Sequence, residues 1–138
     1  MPTDNETAVR RFYEALACGD TELVDGALAP GWEAVPALHT GPGPDGWKKT
    51  VEHLSGVLSG LAVTVEHLVA SGDMVAVRSV ARGLHTGPLL GVEGTGREVE
   101  LRASDFHQLA GGLIVRTWHL EDYFGLAGRL GLELTRGA

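Results

Sequence analysis

Two ionisable side chains interrupt an otherwise apolar pattern in VELRASDFHQL, residues 99–109. Alternate residues of an extended strand point to opposite faces. Val99, Leu101, Ala103, Asp105, His107 and Leu109 therefore share one face, and the wetter Glu100, Arg102, Ser104, Phe106 and Gln108 share the other. Burying an ionisable group without a partner costs several kcal/mol, and such groups tend to be paired or functional. Either Asp105 and His107 satisfy each other or nearby backbone in a dry core, or they serve a pocket. The stretch IVRTWHLED, residues 114–122, poses the same choice. Ile114, Arg116, Trp118 and Leu120 fall on one face and Val115, Thr117, His119 and Glu121 on the other, and periodicity alone favours burying the Trp118 face by a small margin.

The chemistry such residues could supply is general acid/base catalysis. An unperturbed histidine titrates at about 6.5, close to neutral pH, where proton transfer is most effective. A carboxylate such as Asp105, reaching either imidazole, would hold one tautomer and stabilise the protonated ring. His107, His119 and Asp105 also make up a two-histidine, one-carboxylate set. No histidine pair has the short helical spacing of a zinc motif, so no metal is expected. No serine lies in a strand-to-helix elbow. GVEGTG, residues 91–96, lacks the spacing and the strand-to-helix setting of a dinucleotide fingerprint and reads as a loop near a cavity rim. Cys18, the only cysteine, sits in the helix-end signal CGD and reads as a packing residue.

Several elements must position these groups. Ala8, Val9, Phe12, Tyr13 and Leu16 recur at helical spacing, with Thr3 or Asp4 to cap the start and Gly19 to stop the helix. A short second helix is expected from Thr21 to Leu28, then a Pro- and Gly-rich loop with a brief strand around Trp32 to Val35. A third helix opening at Asp45 carries Trp47, Val51, Leu54, Val57 and Leu58. Beyond Gly60 the period becomes alternating. Ser71-Gly72-Asp73 and Gly111-Gly112 read as turns of two hairpins. On strand parity, His67 continues the face of Leu61, Val63, Val65 and Val69. The tail YFGLAGRLGLEL suits a short closing helix or an edge segment, with Asp122 capping or positioning it. Helices first and antiparallel strands afterwards is an α+β pattern, a curved sheet with helices gathered on one face.

A chain of 138 residues makes one domain, and a fold of this size buries roughly 68% of the surface its unfolded chain exposes. With 43% hydrophobic and 21% charged residues and a mean hydropathy of +0.04, the composition is that of a soluble globular protein. The net charge of −7 offers no basic surface for phosphates, so neither nucleic acid nor an anionic membrane is an expected partner. No stretch approaches the ~20 apolar residues that span a bilayer. The acidic and polar start lacks a secretion signal, and the single cysteine fits a cytoplasmic protein.

VRRFYEALACGD, GPDGWKK, VASGDMVAVRSVARGLHTGPLLGV and GGLIVRTWHLEDYFG together resemble the SnoaL-like polyketide cyclases of the nuclear transport factor 2-like, ketosteroid-isomerase-like superfamily. The resemblance runs over nearly the whole chain. It implies three N-terminal helices and a curved antiparallel sheet forming a cone-shaped barrel around one apolar pocket. It further implies a cofactor-free protein that takes a hydrophobic small molecule and forms a homodimer or higher homo-oligomer through the back of the sheet. Ile114, Trp118 and Leu120 would then face a neighbouring subunit or the back of the sheet, leaving His119 and His107 for the pocket. Cyclases of this family use an Asp on the last strand as general acid/base. His119 stands at that position, whereas a pocket histidine of such cyclases matches His107.

The expected activity is cyclisation of a polyketide-like intermediate by intramolecular aldol closure. His119 would remove a proton next to a carbonyl or protonate the accepting oxygen, with His107 and Asp105 as donor and orienter. Trp32, Tyr13, Trp47, Leu89 and Phe124 would supply the apolar wall, and Glu121 the pocket mouth. Steroid isomerisation fits poorly, because Phe12 stands where the oxyanion tyrosine would be. Arg78 is expected to contact the substrate; with Asp105 it supplies only two members of the Asp-Arg-Asp set of limonene-type epoxide hydrolases, so that set is not matched. Epoxide-opening cyclisation, isomerisation, cofactor-free hydroxylation and non-catalytic binding of a small molecule are the alternatives.

Overall fold

The computed structural model describes residues 3–133 and 135–137. Helix α1 spans Asp4–Cys18. The Thr3 hydroxyl accepts from the Glu6 N–H at 3.1 Å, answering one of the amides a helix start leaves free. Gly19, at φ 64°, ends the helix in the left-handed conformation that glycine adopts without penalty. Helix α2 is a single turn, Glu22–Asp25. It ends before Leu28 because that residue already belongs to strand β1, Leu28–Val35. Helix α3, Gly43–Val57, begins two residues ahead of Asp45, with Pro42 as its N-cap. Cys18 is exposed at the end of α1, not packed as expected.

Four strands follow: β2, Leu58–Ser71; β3, Met74–His85; β4, Glu98–Ala110; and β5, Leu113–Glu121. Helix α4, Tyr123–Arg129, closes the fold, and the Asp122 carboxylate caps it by accepting from the Gly125 N–H at 2.8 Å. The sheet order is β1-β5-β4-β3-β2. Strands β2 to β5 run antiparallel as an α+β sheet, and β1 joins the far edge parallel to β5. The sheet is curved and unclosed. Its inner face packs on α1 and α3, and the core gathers Val9, Phe12, Tyr13, Trp32, Val51 and Ile114.

Parity holds along β4, where Asp105, His107 and Leu109 are all buried. It breaks in two other strands at bulges, where one strand inserts a residue that its partner does not match. In β5, Ile114 pairs with Leu109 while Arg116 pairs with Gln108, so Val115 is the extra residue. Ile114 consequently turns inward, fully buried, on the same face as Thr117 and His119. It does not join Trp118 and Leu120 on the outside, as strict alternation required. In β2, Val65 pairs with Ser79 and His67 with Arg78. The inner face passes from Leu61, Val63 and Val65 to Leu68, and His67 and Val69 face solvent. His67 is therefore a surface residue and not a continuation of the apolar face.

Candidate active site

Helices α3 and α4, the loop after β1 and the ends of β4 and β5 enclose a cavity of about 800 Å³, within the range of small-molecule sites. Leu54, Leu58, Leu89, Val99 and Leu101 make much of its wall, and Trp47, His119 and Glu121 also face it. Loop 86–97 supplies Leu89 to this wall and is anchored by His85. The buried His85 ring meets Thr95 Oγ1 (3.2 Å) and the Thr95 N–H (3.3 Å) at Nδ1, and Val92 O (3.1 Å) at Nε2. An N–H donates and a carbonyl accepts, so this ring is neutral, with its proton on Nε2.

His119 differs. Its Nδ1 lies 2.9 and 3.0 Å from the two Glu121 carboxylate oxygens, and its Nε2 lies 2.7 Å from the Pro36 carbonyl oxygen. Every partner is an acceptor, so both ring nitrogens donate, which an imidazole does only when protonated. Its pKa is accordingly raised: the Glu121 bond is the largest cause, burial opposes it, and Pro36 O and the charges of Glu121 and Asp105 add to the rise. The cavity wall thus presents an imidazolium paired with a carboxylate.

Asp105 stands opposite His119 in the sheet register, and cross-strand neighbours on one face lie about 4.5–5.5 Å apart at Cβ. Asp105 does not line the cavity. It is buried behind the wall, where its Oδ2 accepts from the Tyr13 hydroxyl at 2.7 Å. Burial pushes its pKa up to about 6, although the Tyr13 bond pulls down; the Glu121 charge adds to the rise and the His119 charge opposes it. The Tyr13 oxygen also meets His107 Nε2 at 2.8 Å, and burial together with Asp105 drives the phenol well above its ordinary range. His107 is completely buried, and burial lowers its pKa to about 3, so the ring is neutral. Its Nδ1 lies 2.8 Å from Thr117 Oγ1, which accepts from the Trp32 indole N–H at 3.0 Å.

The fold brings His119, Glu121, Trp47 and Leu89 together in the cavity wall and gathers Asp105, His107, Tyr13 and Trp32 behind it. His107, Tyr13 and Trp32 are core residues and do not form pocket wall. Arg78 and Phe124 lie elsewhere, at a hollow of about 360 Å³ on the outer face of the sheet; Phe124 is 74% exposed. Thr117, His85 and the Pro36 carbonyl are structural partners that residue types did not flag. Thr117 carried one readable signal, its shared parity with His119. Trp47 stacks on Phe12 with ring centroids 4.4 Å apart, and its indole nitrogen is the one buried side-chain N or O without a partner among the described residues. Among those residues no group of three or more His, Cys, Asp or Glu could hold a metal ion, and no helix is long and apolar enough to cross a membrane.

Comparison with known proteins places this architecture. The family model described as SnoaL-like polyketide cyclase matches residues 6–130. TsrD from Streptomyces laurentii superposes with a TM-score of 0.87 at 25% identity, over 94% of this chain and 96% of that one. IdmH from Streptomyces antibioticus, described as a candidate polyketide cyclase, superposes with a TM-score of 0.78 at 27% identity, over 91% and 97%. A candidate polyketide cyclase from Bacillus cereus shares the fold at 24% identity with a TM-score of 0.83, over 96% and 83%. No curated protein matches the chain.

Proposed function

Since the chain belongs to the SnoaL-like polyketide cyclase family, we propose that it closes a ring in a polyketide-like intermediate by cofactor-free intramolecular aldol addition. The observation that carries this reading is the His119–Glu121 pair, an acid and a base side by side in the wall of a mostly apolar cavity. A Glu121 oxygen takes the proton from a carbon next to a substrate carbonyl. The resulting enolate attacks a second carbonyl carbon of the same chain. His119, exchanging its Pro36 contact for the substrate, gives its Nε2 proton to the oxygen that becomes a hydroxyl. Glu121, which faces the still-protonated Nδ1, then releases the abstracted proton to water while Nε2 takes one up from water, and the pair is reset with no net gain or loss of protons. Holding the flexible chain so that its reacting carbons meet supplies up to ~7–11 kcal/mol of the acceleration.

The unpartnered indole N–H of Trp47 offers a substrate carbonyl a donor, since an unanswered buried N–H costs about 1–3 kcal/mol. The same reading includes a homodimer through the outer face of the sheet. Phe106 and Trp118 are cross-strand neighbours there, 56% and 36% exposed, beside Leu120 at 74%. Apolar surface of this kind is favourable to bury against a second copy.

The test uses a linear poly-β-ketone thioester, with products followed by mass spectrometry and NMR. Wild-type protein is expected to yield the cyclised isomer, or that isomer less one water. His119→Ala and Glu121→Gln should each slow its formation by at least about 10²-fold, the typical contribution of a positioned acid or base. Undiminished turnover by folded His119→Ala would refute the reading.

A further inference from the structure

Five buried side chains stand in single file through the core: Trp32, Thr117, His107, Tyr13 and Asp105, each 6% exposed or less. Four hydrogen bonds of 3.0, 2.8, 2.8 and 2.7 Å link them in that order. An indole N–H only donates, so Thr117 Oγ1 accepts at the first link. Among the described residues, the Thr117 hydroxyl proton has one acceptor, His107 Nδ1. The single proton of the neutral His107 ring is then on Nε2 and is donated to the Tyr13 oxygen. The Tyr13 proton is left for Asp105.

With Asp105 ionised, the file holds four protons, from Trp32, Thr117, His107 and Tyr13, for its four links. Protonating Asp105 adds a fifth proton for which the file has no acceptor. Reversing the direction does not help, because the Thr117 proton is then the one left over. A buried donor with no acceptor keeps the full desolvation penalty of that group, and hydrogen bonds in such a file polarise and strengthen one another.

We propose that Trp32, Thr117, His107 and Tyr13 are positioning residues, a one-way hydrogen-bond file that holds Asp105 as an anion behind His119. The charged and titratable groups around Asp105 agree with that role. Helix α1 presents the Tyr13 hydroxyl, β5 presents His119 and Glu121, and β3 places only the apolar Val77 opposite it. The anion's function is to help Glu121 keep His119 protonated. That consequence rests on the reading of His119 as the acid, whereas the direction of the file does not.

The experiment is NMR on isotope-labelled protein without any ligand. Imidazole nitrogen shifts report the His107 tautomer, and carboxyl carbon shifts report the Asp105 titration. His107 is expected as the Nε2–H tautomer at neutral pH. Tyr13→Phe should move the Asp105 midpoint to higher pH by about one unit, a typical hydrogen-bond effect. Thr117→Val, which does not touch Asp105, should move it in the same direction by less, and Thr117→Ser should leave it in place. An Nδ1–H tautomer for His107, or an Asp105 midpoint unmoved in Thr117→Val, overturns the proposal. Should Tyr13→Phe fail to fold, the wild-type tautomer and the Thr117 pair still decide it. These readings need no substrate, so failure of the cyclase reading leaves them interpretable.

Discussion

Replacing Asp105 by Asn should stabilise the protein increasingly as pH rises. The carboxyl goes from its ordinary 3.8 to about 6 on folding, mainly through burial. A carboxyl whose folded pKa is raised binds its proton more readily in the folded state, so its ionisation opposes folding, and stability falls as pH climbs from the lower value through the upper one. At about 1.36 kcal/mol per pKa unit, the full difference of about two units corresponds to roughly 3 kcal/mol. The penalty is about 1 kcal/mol near pH 4.5, where the folded carboxyl is still protonated, and about 3 kcal/mol near pH 7.5. Asn keeps the size and an oxygen acceptor for Tyr13 but does not ionise. Any cost of placing its amide N–H groups is the same at every pH, so the diagnostic quantity is the growth of the stability difference. That growth should be about 2 kcal/mol across this range, the His119 charge being already among the causes of the folded value. Keeping above about pH 4.5 leaves His107, whose pKa is near 3, neutral in the folded state. Urea unfolding of both proteins, followed by tryptophan fluorescence at a series of pH values, measures the difference directly. A difference that stays flat with pH, or that shrinks as pH rises, would show that Asp105 is not a buried anion.

Glu121 is the largest cause of the raised His119 pKa, so Glu121→Gln should move the His119 midpoint to lower pH, as read by NMR titration. In the wild type, a raised histidine adds stability that is present below about 6.5 and disappears as pH rises through the folded value, and Glu121→Gln should diminish that component. His85→Ala removes both anchors of loop 86–97 and opens a void, and should cost about 2–3 kcal/mol. Hydrogen exchange should then quicken in that loop before it quickens in β4. Trp118→Glu places a charge at the centre of the exposed apolar strip, and should convert a dimer to a monomer by light scattering with little change in melting temperature; a dimer that persists would place the interface elsewhere.

Much of the positioning frame was legible locally. The α1 stripe, the Thr3 cap and Gly19 stop, the two glycine turns and the inward parity of Asp105 and His107 each depend on neighbours within a few residues. His119 and Trp118 do lie on opposite faces of β5. The wall assignments of Trp32, Tyr13 and Phe124 had no comparable basis, because an aromatic residue at helical or strand spacing packs equally well into a core, a pocket or an outer face. Arg78 fell on the outer face of β3, where strand parity alone could not say which face enclosed the cavity.

The amino-acid sequence by itself determined the α+β order of elements, the family and the presence of two ionisable groups on an apolar face. These are encoded in composition, period and short-range capping. Only the tertiary structure decided which polar group faces which partner. The bulges at Glu66 and Val115 reverse alternation because a strand's register is set by its neighbour and not by its own residues. The division between His119, protonated in the cavity wall, and His107, neutral in the core, arises because charge state follows the partners and burial that folding assembles. Tyr13 and Asp105 lie 92 residues apart, and no local pattern records their meeting.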